Sequence, residues 1–206
     1  MKKLAVGFLL ALLALALSAQ AAASQIPQEA NKYKRDLVRA VQHEFGLDGP
    51  VALHAAQIHQ ESTWRAGVDS PVGAQGLAQF MPDTSSWISE IYPDLGKAAP
   101  YSPGWAMQAM ARYNYWHNQR IKAADACHLW AMSMSAYNGG LGWVNRDKRL
   151  AAEAGKDPEK WWCNVEHHTS RADWAEQENR HYVRRIIQDL EPLYIRAGWP
   201  GRRTCP

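Results

Sequence analysis

The chain has 206 residues, with 23 Lys and Arg against 20 Asp and Glu and a net charge of +3. That length suits one domain with a substantial core, and the near-neutral balance argues against a nucleic-acid partner held by bulk charge. Ten tryptophans and eight tyrosines stand out; they suit either a packed core or a groove whose flat rings stack on sugars.

In chain order, Lys2 and Lys3 precede an apolar run over residues 4–17, followed by small residues through Ala23. This order predicts a secretory signal peptide over residues 1–23, because the run is too short to span a membrane. Ala19-Gln20-Ala21 and Ala21-Ala22-Ala23 both fit the cleavage rule. No cysteine follows the run directly, so no lipid anchor is expected. The expectation is an exported protein, periplasmic or secreted, with residues 24–206 as one domain. Loss of Lys2 and Lys3 leaves 21 basic against 20 acidic residues.

The remainder reads as mainly helical. Leu37, Val41 and Phe45 mark one face of a helix over residues 34–46. Asp48-Gly49-Pro50 is a start signal, with Val51, Ala55 and Ile58 as a buried stripe running up to Glu61. Residues 63–79 are rich in Gly, Ser and Pro and read as an irregular loop or small β-hairpin. Ser102-Pro103 starts a helix whose inner face carries Ala106, Ala109, Met110, Tyr113 and Trp116. Asp125 is placed to cap a helix ending at Asn138-Gly139-Gly140. Residues 139–160 are the most loop-like later segment. A long helical stretch follows Ser170, with Pro192 expected to kink or restart it and Gly198 to end it. Of the three cysteines, an oxidising compartment permits one bridge and leaves one thiol. Connectivity is not deducible; the short tail around Cys205 favours a Cys163–Cys205 pairing. Cys127, His128, Cys163, His167 and His168 lack the close paired spacings of zinc modules, so no metal is expected.

Glu61, in the stretch IHQESTW, is the candidate catalytic group. Helical spacing sets it nearly in line with His54, Gln57 and Ile58, at the edge of the core-facing stripe. Partial desolvation disfavours its charged form, and a carboxylic acid that stays protonated near neutral pH is a good general acid. Ser62 is placed to hydrogen-bond and orient that carboxyl. Glycosidases usually need a second carboxylate; on position alone, a solvated or ion-paired helix-end glutamate is the simpler reading.

Four segments, QES, SPVGAQGLAQFMPDT, AYNGG and ENRHYV, occur in an order and at separations that resemble the catalytic domain of the soluble lytic transglycosylases. These murein-cleaving enzymes have a goose-type lysozyme-like fold, so the resemblance implies a lysozyme-like helical domain. It spans roughly residues 37–187. It implies that Glu61 is the single catalytic acid/base, with Ser62 following it. Ser70, Gln79, Met81 and Thr84 match groove-lining positions, Tyr137 and Asn138 face the site, and Glu178 and Tyr182 share one face of the late helix. Three departures stand out: Ala78 where methionine is frequent, Asn179 where threonine is common, and Gly139 where alanine is usual. The first is expected to widen the groove.

The resemblance also answers the missing carboxylate. It implies that Glu61 protonates the β-1,4 oxygen between N-acetylmuramic acid and N-acetylglucosamine, then takes the proton of the muramic acid C6 hydroxyl as that oxygen closes a 1,6-anhydro ring. An internal nucleophile has a high effective molarity, so no second carboxylate is required. No cofactor is implied. The implied partner is the glycan strand of peptidoglycan, bound by a monomer. Murein recycling, opening a gap for an envelope-spanning secretion or conjugation apparatus, and service to a phage are all compatible with it. The alternatives are a hydrolytic muramidase using water with Asp69 or Asp83 as base, and a non-catalytic peptidoglycan-binding module. A zinc peptidase reading fails, because Leu47 stands where the second histidine of His43-Glu44-x-x-His would be.

Overall fold

The computed structural model describes residues 26–205; the leader expected over residues 1–23 lies outside them. The order is α1 (Glu29–Phe45), α2 (Val51–Ser62), α3 (Pro82–Ile91), α4 (Pro103–Asn118), α5 (Ala126–Gly139), α6 (Leu141–Glu153), α7 (Asp173–Arg184), a π-helical segment (Arg185–Leu190) and α8 (Glu191–Arg196). Among the described residues the only β pairing is two isolated antiparallel bridges, Asp69 with Gln75 and Gln75 with Phe80. No helix among the described residues is long and apolar enough to cross a membrane.

Helix α2 is central. Nine of its residues are buried, from Val51 through Ile58 and again at Ser62. Ala52, Ala55 and Ala56 keep its sides small, and α1, the π-helical segment and α8 pack around it. The amphipathic stripe read from the sequence is therefore too narrow: the helix is covered on most sides. Helix α5 packs on α4, α6 and α7, which completes the core. Asp125 caps α5 as expected, its Oδ1 accepting the backbone N–H of His128 at 3.0 Å. Pro192 is the second residue of α8, just past the π-helical segment. Proline has no N–H for the i→i−4 ladder, and the wide turn is where that ladder is interrupted.

Three expectations are corrected. Residues 141–153 form a helix, not a loop. The buried face of α6 is Val144, Asp147 and Ala151, and an acid in the middle hides the periodicity. Asp147 is accommodated because Arg171 Nη2 donates to it at 2.9 Å. The disulfide joins Cys127 to Cys205, and Cys163 is a free, exposed thiol. Cys163 sits in a left-handed turn (φ 61°), with its N–H donated to the buried Glu166, and it is the neighbouring Trp162 indole that approaches Cys127 Sγ, at 3.1 Å. That disulfide also removes Cys127 from any metal set. Finally, Ala78 is fully buried, so its small side chain does not widen the groove.

The loop after α2 is tightly held. Ser62 Oγ donates to Leu77 O at 2.7 Å, and Gly76 N donates to Val68 O at 2.8 Å. Gly76 has φ +72°, and a Cβ there would lie 2.0 Å from Pro100 O. Gly76→Ala is expected to destabilise the protein by about 3 kcal/mol or more, combining backbone strain with overlap. Thermal unfolding checks this; an unchanged Tm would mean that the loop parts from Pro100 without cost.

Candidate active site

The last turn of α2 carries Glu61, and the chain then reverses through two left-handed residues, Thr63 (φ 53°) and Trp64 (φ 64°). Such a turn is costly without glycine. Burial of Trp64 holds it: the indole is stacked on Tyr33, tilted against Trp199, and donates to Tyr194 Oη at 2.5 Å. The helix thus ends one residue after Glu61, and the carboxyl opens into a cleft of about 260 Å³.

Eight of the ten residues expected from the sequence line that cleft together: Glu61, Ser70, Gln79, Met81, Thr84, Tyr137, Asn138 and Glu178. Val72, Ala74, Phe80 and Tyr113 complete it, and sequence reading had not placed them there. Gln79 adopts φ 49° and its Nε2 donates to Val68 O and Gly76 O; Ser70 Oγ accepts the N–H of Ala74 at 2.9 Å. Both polar side chains are therefore pre-positioned by the loop itself. Tyr137 Oη donates to Ala78 O at 2.8 Å, which ties α5 to the same loop.

Ser62 and Tyr182 are placed differently. Ser62 is buried and its hydroxyl is taken by Leu77 O, so it anchors the loop and does not orient the Glu61 carboxyl as expected. Tyr182 stands behind Glu61, not on the cleft wall. It is buried, and its hydroxyl donates to Glu61 Oε1 at 2.5 Å. The departure Asn179 also finds a reason. Its Oδ1 accepts from Ser135 Oγ at 2.6 Å and its Nδ2 donates to Asn138 Oδ1 at 2.7 Å, fixing which way Asn138 points. At Gly139 a Cβ would lie 2.4 Å from Arg171 Nη1, so the glycine admits the guanidinium that holds Asp147.

Burial pushes the Glu61 carboxyl up to about 8; the Tyr182 hydrogen bond opposes this and the nearby Glu178 charge adds to it. Burial also drives the Tyr137 and Tyr182 phenols upward, so both remain neutral donors. Glu178 is exposed and forms no ion pair among the described residues. Asp69 and Asp83, the candidate bases of a hydrolase, do not line the cleft, and Asp69 Oδ1 is engaged by Tyr101 Oη at 2.6 Å. No tryptophan lines the cleft either; its rings are Phe80, Tyr113 and Tyr137, while Trp64, Trp105, Trp130, Trp161 and Trp199 pack the core. Glu44, of the failed zinc motif, accepts from Arg112 Nε at 3.0 Å.

The domain is helical and half-buries a protonatable carboxyl in the last turn of its central helix, under a polar cleft, and its fold is lysozyme-like. The backbone agrees. The 70 kDa soluble lytic transglycosylase of Escherichia coli superposes with a TM-score of 0.55 at 23% identity, covering 76% of this chain and 23% of that one. Lytic transglycosylase Slt of Pseudomonas aeruginosa, solved as an inactive variant, gives 0.61 at 21% identity over 84% of this chain and 25% of that one. The chain belongs to the transglycosylase SLT domain family, whose model matches residues 36–160. Membrane-bound lytic murein transglycosylase F 1 of Alkalilimnicola ehrlichii is 31% identical over 175 residues, 79% of this chain and 33% of the relative. Membrane-bound lytic murein transglycosylase F of Marinobacter nauticus is 32% identical over 129 residues, 62% of this chain and 24% of the relative. The chain thus spans a third or less of the length of these relatives.

Proposed function

We propose that this chain is a peptidoglycan lytic transglycosylase that cleaves the β-1,4 bond between N-acetylmuramic acid and N-acetylglucosamine without water, leaving 1,6-anhydromuramic acid ends. The observation that carries the reading is the Glu61 carboxyl, raised to about 8 by burial at the head of a cleft lined by polar side chains. Protonated at neutral pH, it donates to the bridging oxygen as the glycosidic bond breaks. Positive charge develops at C1, and the sugar's own N-acetyl carbonyl is available to stabilise it. The ionised Glu61 then accepts the C6 hydroxyl proton while that oxygen bonds to C1. The proton count closes on a neutral Glu61, ready for the next cycle.

Ser70, Gln79, Met81, Thr84, Tyr137, Asn138 and Glu178 are proposed as glycan contacts, a reading supported by their place on the cleft wall. Membership of the family supports murein as the substrate class, and the position of Asp69 and Asp83 off the cleft speaks against a water-activating base. The protein is proposed to act after export, on periplasmic or extracellular murein, as a monomer; murein turnover and local opening for a secretion or conjugation apparatus both remain roles it fits. Purified sacculi are expected to yield muropeptides one water lighter than lysozyme products and without reducing ends. Mass spectrometry showing only reducible ends would replace this reading with a hydrolase.

A further inference from the structure

Behind Tyr182 lies a second tier of polar groups, out of reach of the cleft. Gln57 of α2 and Asn114 of α4 are both fully buried. Asn114 Nδ2 donates to Gln57 Oε1 at 2.7 Å, and Gln57 Nε2 donates to Tyr182 Oη at 3.4 Å. Asn114 Oδ1 has no partner among the described residues. Two buried amides with an orphaned acceptor are a poor way to fill a core, since apolar side chains of similar volume leave nothing unsatisfied. Packing alone does not account for them.

We infer that Gln57 and Asn114 are positioning residues that hold the Tyr182 hydroxyl as a donor to Glu61 Oε1; the inference rests on the reading of Glu61 as acid and base. The logic is one of donor direction. With Asn114 donating to its oxygen, Gln57 presents its NH2 group to Tyr182. That group only donates, so the Tyr182 oxygen must accept. The single phenolic proton is left for Glu61 Oε1, 2.5 Å away. Turned the other way, Gln57 would offer Tyr182 an acceptor, and the hydroxyl would have a competing partner.

Every donor in the series points toward the carboxyl. The series therefore stabilises Glu61 most when it is ionised, which is the state after proton donation. It also leaves Oε2 as the oxygen that carries the transferable proton, because Oε1 is occupied in both halves of the cycle. Neither amide lines the cleft, so neither is catalytic in the strict sense.

The test uses Gln57→Leu, Asn114→Leu and the double variant, assayed on purified sacculi for kcat, KM, pH profile and Tm. The titratable groups facing Glu61 are Tyr182 and Glu178 of α7 and Tyr137 of α5, and none is changed. The double variant is expected to keep or gain Tm and to keep KM. Its kcat is expected to fall about tenfold. The upper pH limb should move to higher pH, because the ionised carboxyl loses support. Wild-type kcat and pH limb in a folded double variant would overturn the inference. Should either leucine variant fold poorly, Gln57→Asn still shortens the reach to Tyr182. In a Tyr182→Phe background this substitution is expected to add no further loss, whereas losses that multiply independently would overturn the coupling. The underlying reading is checked separately by Glu61→Gln. An active Glu61→Gln enzyme removes the acid–base assignment, while an inactive one beside unaltered amide variants removes only this inference.

Discussion

Glu61→Gln is expected to lower murein cleavage by at least ~10³-fold, since one group supplies both the acid and the base of the cycle. The amide keeps the shape of the carboxyl and still accepts from Tyr182, so the cleft persists and only the transferable proton is lost. The same substitution is expected to make the protein more stable at alkaline pH. Folding raises the Glu61 carboxyl from 4.5 to about 8. Below pH 4.5 both folded and unfolded chains hold the proton, and burial carries no ionisation penalty. Between pH 4.5 and 8 the unfolded chain releases it while the folded one retains it, so stability falls as pH rises. Above about pH 8 the penalty is complete, on the order of 5 kcal/mol. Glu191, pushed up to about 7 by burial, produces a similar decline in both proteins and cancels in their difference. The Tm of Glu61→Gln minus wild type should therefore be near zero at pH 4 and largest above pH 8. Residual activity within tenfold of wild type, or a Tm difference that ignores pH, would remove Glu61 from this role. Wild-type activity should decline above about pH 8, where the resting enzyme no longer carries the proton it must donate.

That gain in stability and loss of activity from one atom's change is the signature of a group held in an unfavourable place for its chemistry. The same holds for the turn that follows it, where Thr63 and Trp64 both occupy the left-handed region. The strain is offset by the Trp64 indole in the core. A chain optimised only for stability would let α2 run on or end it with glycine.

How far the site is legible in the sequence depends on how local each cause is. The cap at Asp125 and the start at Pro103 are decided within a few residues, and both are found where short-range chemistry puts them. Glu61 is legible in two steps: helical spacing sets it on the edge of the buried stripe, and only the resemblance carried by the four segments singles it out from an ordinary helix-end glutamate. Helix α6 is not, because Asp147 occupies an apolar position and becomes tolerable only through Arg171, 24 residues away. Ser62 is misplaced for a related reason: its partner Leu77 lies 15 residues on, in a loop whose path no local signal predicts. Asn114 is the extreme case. It sits next to the apolar face of α4, and only the approach of α2 in three dimensions gives its amide a partner 57 residues away.

The disulfide belongs to that long-range class, and its removal has the second large expected effect. Cys127 lies in the first turn of α5 and Cys205 near the end of the chain, 78 residues apart. Closing a loop of that length restricts the unfolded chain by about 4.5 kcal/mol on the chain-entropy account. Native contacts already hold the same tail. Pro200 O accepts the N–H of Ala52 at 2.8 Å, Trp199 packs on Trp64 and Tyr194, and Thr204 donates to Glu191 through N and Oγ1. These contacts survive reduction, so the folded state is little changed and the loss comes from the unfolded side. Cys127→Ser/Cys205→Ser is expected to lower Tm by about 10 °C while leaving the upper pH limb of activity in place, because neither sulfur approaches the cleft. The tail covers the start of α2 and Glu61 lies in its last turn, so a shifted pH limb would mean that the bridge also sets the position of the catalytic helix. A fall in stability below ~1 kcal/mol would mean that the unfolded chain is already compact enough for the bridge to add no constraint.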